Sequence, residues 1–413
     1  MKKNIWIFNH YATDTILDHG GRHYSFAKYL KRKGYNVRIF CASTVHNTNI
    51  NFDTTGAGFS ELKVDDIDYT IIKTSNYSGN GLSRIKNMFQ FYFRIFRVVK
   101  YYKKPDIILA SSVHPLALVA GIKISKKLNI KCVCEIRDLW PESLVEYNII
   151  SRNNILTRFM YKGEKWIYKN ANNLIFTMPG AKKYITDSGW DREVDLAKVF
   201  FINNGIDLEV YNENKTKYPF YDSDLDNQNY KKVVYTGSLR MANKAESFIE
   251  IAESLRNISD KIKLLILGDG DNLQILKNKA LDKNLKNIIF KGKVEKKYIP
   301  SILSKSDLNI MDGDKGGISK YGISGNKLFD YLASGKPIIM DAFENEFGII
   351  NKNKIGIAQN FTNASQFAAA IDDMLNSDSL RYETWCSNSA ELSKEFDFKR
   401  LTNKLADVIE NCN

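Results

Sequence analysis

Ser324, Gly325, Asn326, Lys327, Leu328 and Asp330 make up the stretch whose residue types and spacing most suit chemistry. A Ser/Gly loop leads there into a helix expected from about 325 to 334, with Gly335 at its stop and an apolar strand over 337–340 beyond. A glycine-rich loop feeding a helix N-terminus leaves backbone N–H groups free at the positive end of the helix dipole, which makes an anion site. Lys327 adds charge in the same turn. Asp330, one turn further in, is placed to accept hydrogen bonds from sugar hydroxyls on a phosphate held at that N-terminus. The same pattern also suits a plain loop–helix–strand unit closed by a glycine.

Other polar groups fall just after apolar runs, at the positions where open α/β sheets hold their ligands. Gly20 and Gly21 follow a strand expected over 5–8. His114 follows a strand over 106–110, and Asp138 follows one over 130–136. Gly237 and Ser238 come after 232–235, Gly268 after 263–267 and Lys293 after 288–290. The Gly20–Gly21 pair lets an anion approach the backbone closely, or makes a tight turn. It is no dinucleotide fingerprint, because no third glycine follows and no acidic residue closes the second strand. Three Asp-x-Asp-like clusters, at 65–68, 269–271 and 312–314, read as solvated acidic patches, so no metal site is expected.

These positions need elements to hold them, and strands alternate with helices through both halves. The fold class expected is α/β, with two doubly wound Rossmann-like domains. A chain of 413 residues outgrows one hydrophobic core, and 44% apolar with 26% charged residues describes a globular protein. Residues 212–229 read as a linker or surface loop, and helices over 364–376 and 396–411 finish the chain. The five cysteines lack CxxC spacing, and Cys132 and Cys134 read as core thiols. No apolar run reaches the length of a membrane span. The opening Met-Lys-Lys-Asn-Ile-Trp-Ile-Phe is too short an apolar run for a signal peptide, so the expected place is the cytoplasm.

The charge is lopsided. Residues 1–200 hold 31 Lys/Arg against 17 Asp/Glu, a net of +14, and residues 201–413 hold 29 against 30, a net of −1. No acidic residue occurs between Asp68 and Asp106. Within that gap a helix over 82–104 would put Arg94, Arg97 and Lys104 on one face with Lys100 beside it, among many aromatics. Basic residues interleaved with aromatics suit an interfacial helix on anionic lipid. They equally suit a helix packed on a sheet with its other face solvated.

Several motifs fall in one order: Gly20-Gly21, Glu135-Ile-Arg-Asp138, Asn204-Gly-Ile-Asp207, Tyr235-Thr-Gly237, Leu267-Gly-Asp-Gly270 and Asn326-Lys-Leu-Phe-Asp330. Together they resemble retaining GT-B glycosyltransferases of the glycosyltransferase 4 family. The resemblance lies in the bacterial surface-polysaccharide (O-antigen or capsule) branch similar to N-acetyl-fucosamine transferases. It implies two domains facing across a cleft: an acceptor domain over 1–205, a nucleotide-sugar domain over 206–385, and a C-terminal helical segment over 386–413 returning to the first. It further implies transfer of an N-acetylated hexose from a UDP-sugar to an undecaprenyl-diphosphate-linked saccharide, without metal or cofactor. The enzyme would lie peripherally on the inner face of the cell membrane, with Arg94, Arg97, Lys100 and Lys104 toward its anionic surface, and would bind no nucleic acid. Gly20, Gly21, Gly237, Ser238, Gly268, Lys293 and 324–328 with Asp330 would hold the donor. His114 and Asp138 would contact the reacting centre.

The chain departs from the family pattern at two places. The first of the usual two glutamates falls on Gly322 and the second on Asp330, so donor-sugar identity does not carry over. The usual Arg and Lys after Tyr-Thr-Gly fall on Ser238 and Asn243, leaving Arg240 and Lys244 as the substitutes for the diphosphate clamp. Two other readings remain open: a UDP-sugar 2-epimerase of the same fold, and a non-catalytic basic protein that binds membrane or nucleic acid.

Overall fold

The computed structural model describes all residues except 1, 47, 55, 80, 113, 240–245, 312, 314–316 and 413. Two compact units result, one of residues 1–203 with 398–413 and the other of residues 204–397.

The first unit is built on eight strands: β1 (Asn4–Phe8), β2 (Asn36–Ala42), β3 (Phe59–Val64), β4 (Ile67–Ile72), β5 (Ile107–Ser111), β6 (Lys131–Ile136), β7 (Asn173–Phe176) and β8 (Val199–Phe201). Their order is β3-β4-β2-β1-β5-β6-β7-β8, parallel except for β3, which pairs antiparallel with β4 at the edge. The central strands are near-continuous apolar runs because helices cover both faces; β5 is buried at every residue. The β3–β4 hairpin turns at Asp65 and Asp66, whose φ angles are +45° and +70°. Asp65 accepts from Tyr24 at 2.7 Å and Asp66 pairs with Lys63 at 2.6 Å, so this acidic cluster serves a turn.

The second unit has β9 (Lys231–Thr236), β10 (Ile262–Leu267), β11 (Ile288–Gly292), β12 (Leu308–Met311), β13 (Ile338–Asp341) and β14 (Gly356–Gln359). They form a wholly parallel sheet in the order β11-β10-β9-β12-β13-β14. The order reverses beside β9, where a doubly wound sheet opens its ligand crevice.

Two sequence expectations need correction. Residues 212–229 are not all loop, because a helix, Leu208–Lys217, capped by the Asp207 side chain occupies the first part. The return to the first unit begins at 398 and not at 386. The helix Ser379–Glu395 packs in the second unit, and its weakly amphipathic Ser/Asn/Glu-rich sequence hid it. The helix after it, Phe398–Glu410, buries Phe398, Leu401, Leu405 and Ile409 in the first unit's core beside Phe26 and Ile39.

Candidate functional site

In the second unit the helix Asn326–Ser334 begins after Gly325, whose backbone is extended, and stops at Gly335 in the left-handed region at φ +65°. No side chain among the described residues caps its N-terminus, and the Leu328 amide turns back to the Gly325 carbonyl at 3.2 Å. The Lys327 ammonium donates to the Tyr235 hydroxyl at 2.9 Å and lies 4.2 Å from the ring centroid. A Cβ on Gly237 would fall 2.8 Å from that nitrogen, so the lysine head lies against the backbone just past β9. The helix is tied to the same strand end, since the Thr236 amide donates to the Tyr331 hydroxyl at 2.9 Å. Asn204 fixes the entry loop by donating to the Ser324 carbonyl at 2.9 Å and the Asn326 side chain at 3.2 Å.

Gly268 belongs to this cluster by close approach. A Cβ there would lie 1.7 Å from the Gly237 carbonyl oxygen. Its own amide donates to Gly292 at 2.8 Å, and the Gly237 amide donates to Leu267 at 2.9 Å. The ends of β9, β10 and β11 are thereby joined through backbone alone, with Ser238 and Lys293 exposed beside them. Leu328 is buried in the core below.

Asp330 is half-buried and makes no hydrogen bond or ion pair among the described residues. Burial raises its carboxyl above the ordinary value, with Lys296 opposing. Arg240 and Lys244, expected as a diphosphate clamp, lie outside the described residues.

In the first unit Gly20 and Gly21 precede the helix Arg22–Arg32, and Gly21 takes φ +91°, which favours glycine. The first two helical residues turn inward. Arg22 donates to Glu135 at 2.8 Å and to the Ile202 carbonyl at 2.9 Å; His23 Nε2 meets the other Glu135 oxygen at 2.8 Å. Ser111 also donates to Glu135, at 2.7 Å, and the Asn9 amide meets His23 Nδ1 at 2.7 Å. Burial opposes charge on Glu135, but Arg22 and His23 together outweigh it and hold the carboxyl well below its usual range. Burial lowers His23, with Glu135 opposing. Sequence reasoning did not find this network. Its one signal was Arg22-His23 directly after the glycine pair, with Glu135 ending another central strand.

His114, at the start of the helix Pro115–Leu128, is 1% exposed, and neither ring nitrogen has a hydrogen-bond partner. Burial, then the neighbouring His10 and Arg84, depress it well below the usual histidine value. His10 lies edge-on to it at 4.8 Å and is itself pushed down to about 3 by burial, its Nε2 meeting Asn87 at 2.7 Å. His114 and Asp138 line one cavity of about 210 Å³. Asp138 is exposed among the described residues, and the atoms packed around it raise its carboxyl, with Arg137 opposing. Glu164 lines the cavity too, fully enclosed and raised by burial to about 8, although Tyr168 and Tyr184 donate to it at 2.6 and 2.9 Å.

The basic segment is shorter than expected. The helix Leu82–Val98 passes into a 3-10 turn, Val99–Tyr101, so Lys104 lies beyond it and donates to the Asn129 carbonyl at 3.4 Å. Arg94 is half-buried and donates to the Lys73 carbonyl. Arg97 and Lys100 are exposed. The solvent side instead shows an apolar row, Leu82, Ile85, Phe89 and Phe93, with Leu82 83% and Phe93 63% exposed. No helix among the described residues is long and apolar enough to cross a membrane.

Residues 23–210 match the family model described as Glycosyltransferase Family 4, and residues 221–391 match Glycosyl transferases group 1. Each of the two units thus matches a glycosyltransferase domain model, and the two matches together span most of the chain. The family 4 domain holds the Glu135 network and the His114 cavity, and the group 1 domain holds the uncapped helix with Lys327 and Asp330. The "Uncharacterized glycosyltransferase MJ1069" of Methanocaldococcus jannaschii is 23% identical over 252 residues, 60% of this chain; the match spans about 60% of that relative's length. Sucrose-phosphate synthase of Thermosynechococcus elongatus shares the fold at TM-score 0.70 and 16% identity, over 99% of this chain and 98% of its own. Anabaena Alr3699/HepE, solved in complex with UDP, does so at TM-score 0.66 and 14% identity, over 99% and 100%. The fold is therefore GT-B.

Proposed function

We propose that the chain is a retaining, metal-independent glycosyltransferase that moves an N-acetylated hexose from a UDP-sugar to a lipid-linked saccharide in surface-polysaccharide synthesis. The observation that carries this reading is the group 1 site. A helix N-terminus that no described side chain caps, the Lys327 ammonium against Gly237 just past β9, and an Asp330 carboxyl without a partner among the described residues one turn further along the helix support it. A nucleoside diphosphate answers all three. Its phosphates take the helix amides and the lysine, and its ribose hydroxyls donate to Asp330.

In the reaction the bond from the sugar's anomeric carbon to the diphosphate oxygen breaks, and a bond to the acceptor oxygen forms on the same face. The acceptor's proton passes to the departing phosphate oxygen. The transition state resembles an oxocarbenium ion, so catalysis rests on neutralising the leaving diphosphate and on positioning. Lys327 and the helix dipole supply positive charge, and Arg240 and Lys244 are assigned to the same task. The family 4 domain is assigned the acceptor. His114, neutral, and Asp138 contact its reacting hydroxyl.

An anionic membrane surface on the cytoplasmic side is the assigned partner of the helix Leu82–Val98. The +14 charge of residues 1–200 supports this, as does the row Leu82, Ile85, Phe89 and Phe93 beside Lys86, Arg97 and Lys100. Incubation with a panel of UDP-sugars and undecaprenyl-diphosphate-linked saccharides tests the reading. A glycosylated lipid with retained anomeric configuration, formed in EDTA, is the expected product. Free sugar or an epimer without acceptor would instead establish the epimerase reading.

A further inference from the structure

The cavity beside His114 and Asp138 is a built site whose walls contradict its polar groups. Leu116, Val119, Ile136, Met160 and Ile167 give it aliphatic sides, and its lining contains no lysine or arginine. At about 210 Å³ it is smaller than the roughly 300–1,000 Å³ of clefts that enclose a whole small ligand. It therefore takes part of a molecule. The Tyr168 hydroxyl is spent on Glu164. Among the described lining residues the polar atoms left without partners are the two ring nitrogens of His114, the carboxyl of Asp138 and the indole N–H of Trp140. These satisfy about two or three hydroxyls, fewer than a hexose ring carries, and the rest would lie unpaired against hydrocarbon.

The opening has its own signature. Gly163 sits in the middle of the helix Ile155–Asn170, where glycine is the least favourable residue short of proline. A Cβ there would meet nothing within 4 Å, so packing does not demand glycine. Gly163 is nevertheless exposed and lines the cavity, which places it at a mouth that a side chain would narrow. Leu156 and Phe159 precede it at helical spacing, both exposed, at 60% and 63%. An apolar stripe thus runs along one helix face to the opening.

We infer that this cavity receives an aliphatic segment of the acceptor, which enters past Gly163 and packs against the aliphatic walls. The inference rests on the assignment of the acceptor to the family 4 domain and deepens it. It names hydrocarbon, straight or isoprenoid, as the feature recognised there, and Gly163 as the residue that sets access.

The test follows the methyl resonance of Met160, a wall residue, in the full chain labelled at methionine methyl groups and assigned with Met160→Leu. Titration with n-alkanols from butanol to dodecanol should shift it with an affinity rising about three- to fourfold per methylene. The rise should stop once the chain outgrows the cavity. Geraniol forms a second arm, and its affinity relative to decanol tells an isoprenoid source from a straight one. Gly163→Leu should weaken binding at least tenfold, while Gly163→Ala should change it by less than threefold. Val119→Trp, which fills the cavity from the opposite wall, serves if Gly163→Leu unfolds. A Met160 methyl that ignores both series, or chain binding equally strong in the filled variants, overturns the inference. UDP affinity, measured in parallel, keeps the two readings apart. Its absence would remove the transferase reading, whereas intact UDP binding with a silent Met160 would remove only the hydrocarbon site.

Discussion

Lys327 and Asp330 stand three residues apart on one helix and make opposite demands on a ligand, charge from one and donors from the other. Lys327→Ala should weaken UDP binding, and Asp330→Asn should do so by about 1–3 kcal/mol, the scale of a lost charge-assisted hydrogen bond. Calorimetry with UDP gives both values, and unchanged affinity in both variants would withdraw the donor site. Because burial raises the Asp330 carboxyl, it takes up its proton at a higher pH than a free aspartate. UDP affinity should therefore fall on acidification at a higher pH than a free aspartate would give, and should fall less in Asp330→Asn. Glu164 gives a second pH dependence, in stability. Its folded value, near 8 against an ordinary 4.5, means that the folded chain keeps a proton the unfolded chain has lost between those limits. Stability is then full below pH 4.5 and falls as pH rises toward 8, by up to about 1.4 kcal/mol per unit. Glu164→Gln keeps a partner for both tyrosine hydroxyls and should flatten the fall in melting temperature from pH 5 to 8.

At the scale of elements, the meeting of three strand ends at Gly237, Gly268 and Gly292 is the most exacting arrangement. Gly268→Ala would set a carbon against a backbone oxygen that cannot swing aside. It should cost about 1–3 kcal/mol of stability, the range for overpacking, and should weaken UDP binding with it. Denaturant unfolding with calorimetry checks both. This cluster was largely legible beforehand, because apolar runs ending in glycine mark strand ends in a parallel sheet and Gly325 and Gly335 bracket a helix. What stayed hidden were contacts between residues distant in sequence. Tyr235 entered the sequence reading only as part of a motif and Tyr331 was given no role there, yet their hydroxyls hold Lys327 and the Thr236 amide. Nothing in the sequence singled out Glu164, and only the packing of Tyr168 and Tyr184 around it shows that it faces inward. The helix Leu82–Val98 misled in the other direction. Its arginines drew notice as a charged face, but a side chain as long as Arg94 can bend to a carbonyl, leaving Phe89 and Phe93 as the more exposed feature.

Across the whole molecule, the excess charge of residues 1–200 sets a prediction for surface binding. Each basic residue near an anionic leaflet contributes roughly 1 kcal/mol, screened within about 8 Å at physiological salt. Flotation with phosphatidylglycerol vesicles should carry the wild type and lose it as salt rises. A variant with Ser at Phe89 and Phe93 and Glu at Arg97 and Lys100 should stay in solution while remaining folded. Equal flotation of the two, or indifference to anionic lipid, would end the membrane assignment.

The helix Phe398–Glu410 has a further consequence for how the chain is made. The first unit's core includes Leu401, Leu405 and Ile409, and Lys3 reaches the Ile409 carbonyl at 2.9 Å. On the ribosome, residues 204–397 emerge and can close their own core while the first 203 still lack part of theirs. The segment synthesised first is therefore completed last, and a stop codon near residue 397 would injure the beginning of the protein instead of the part beside it.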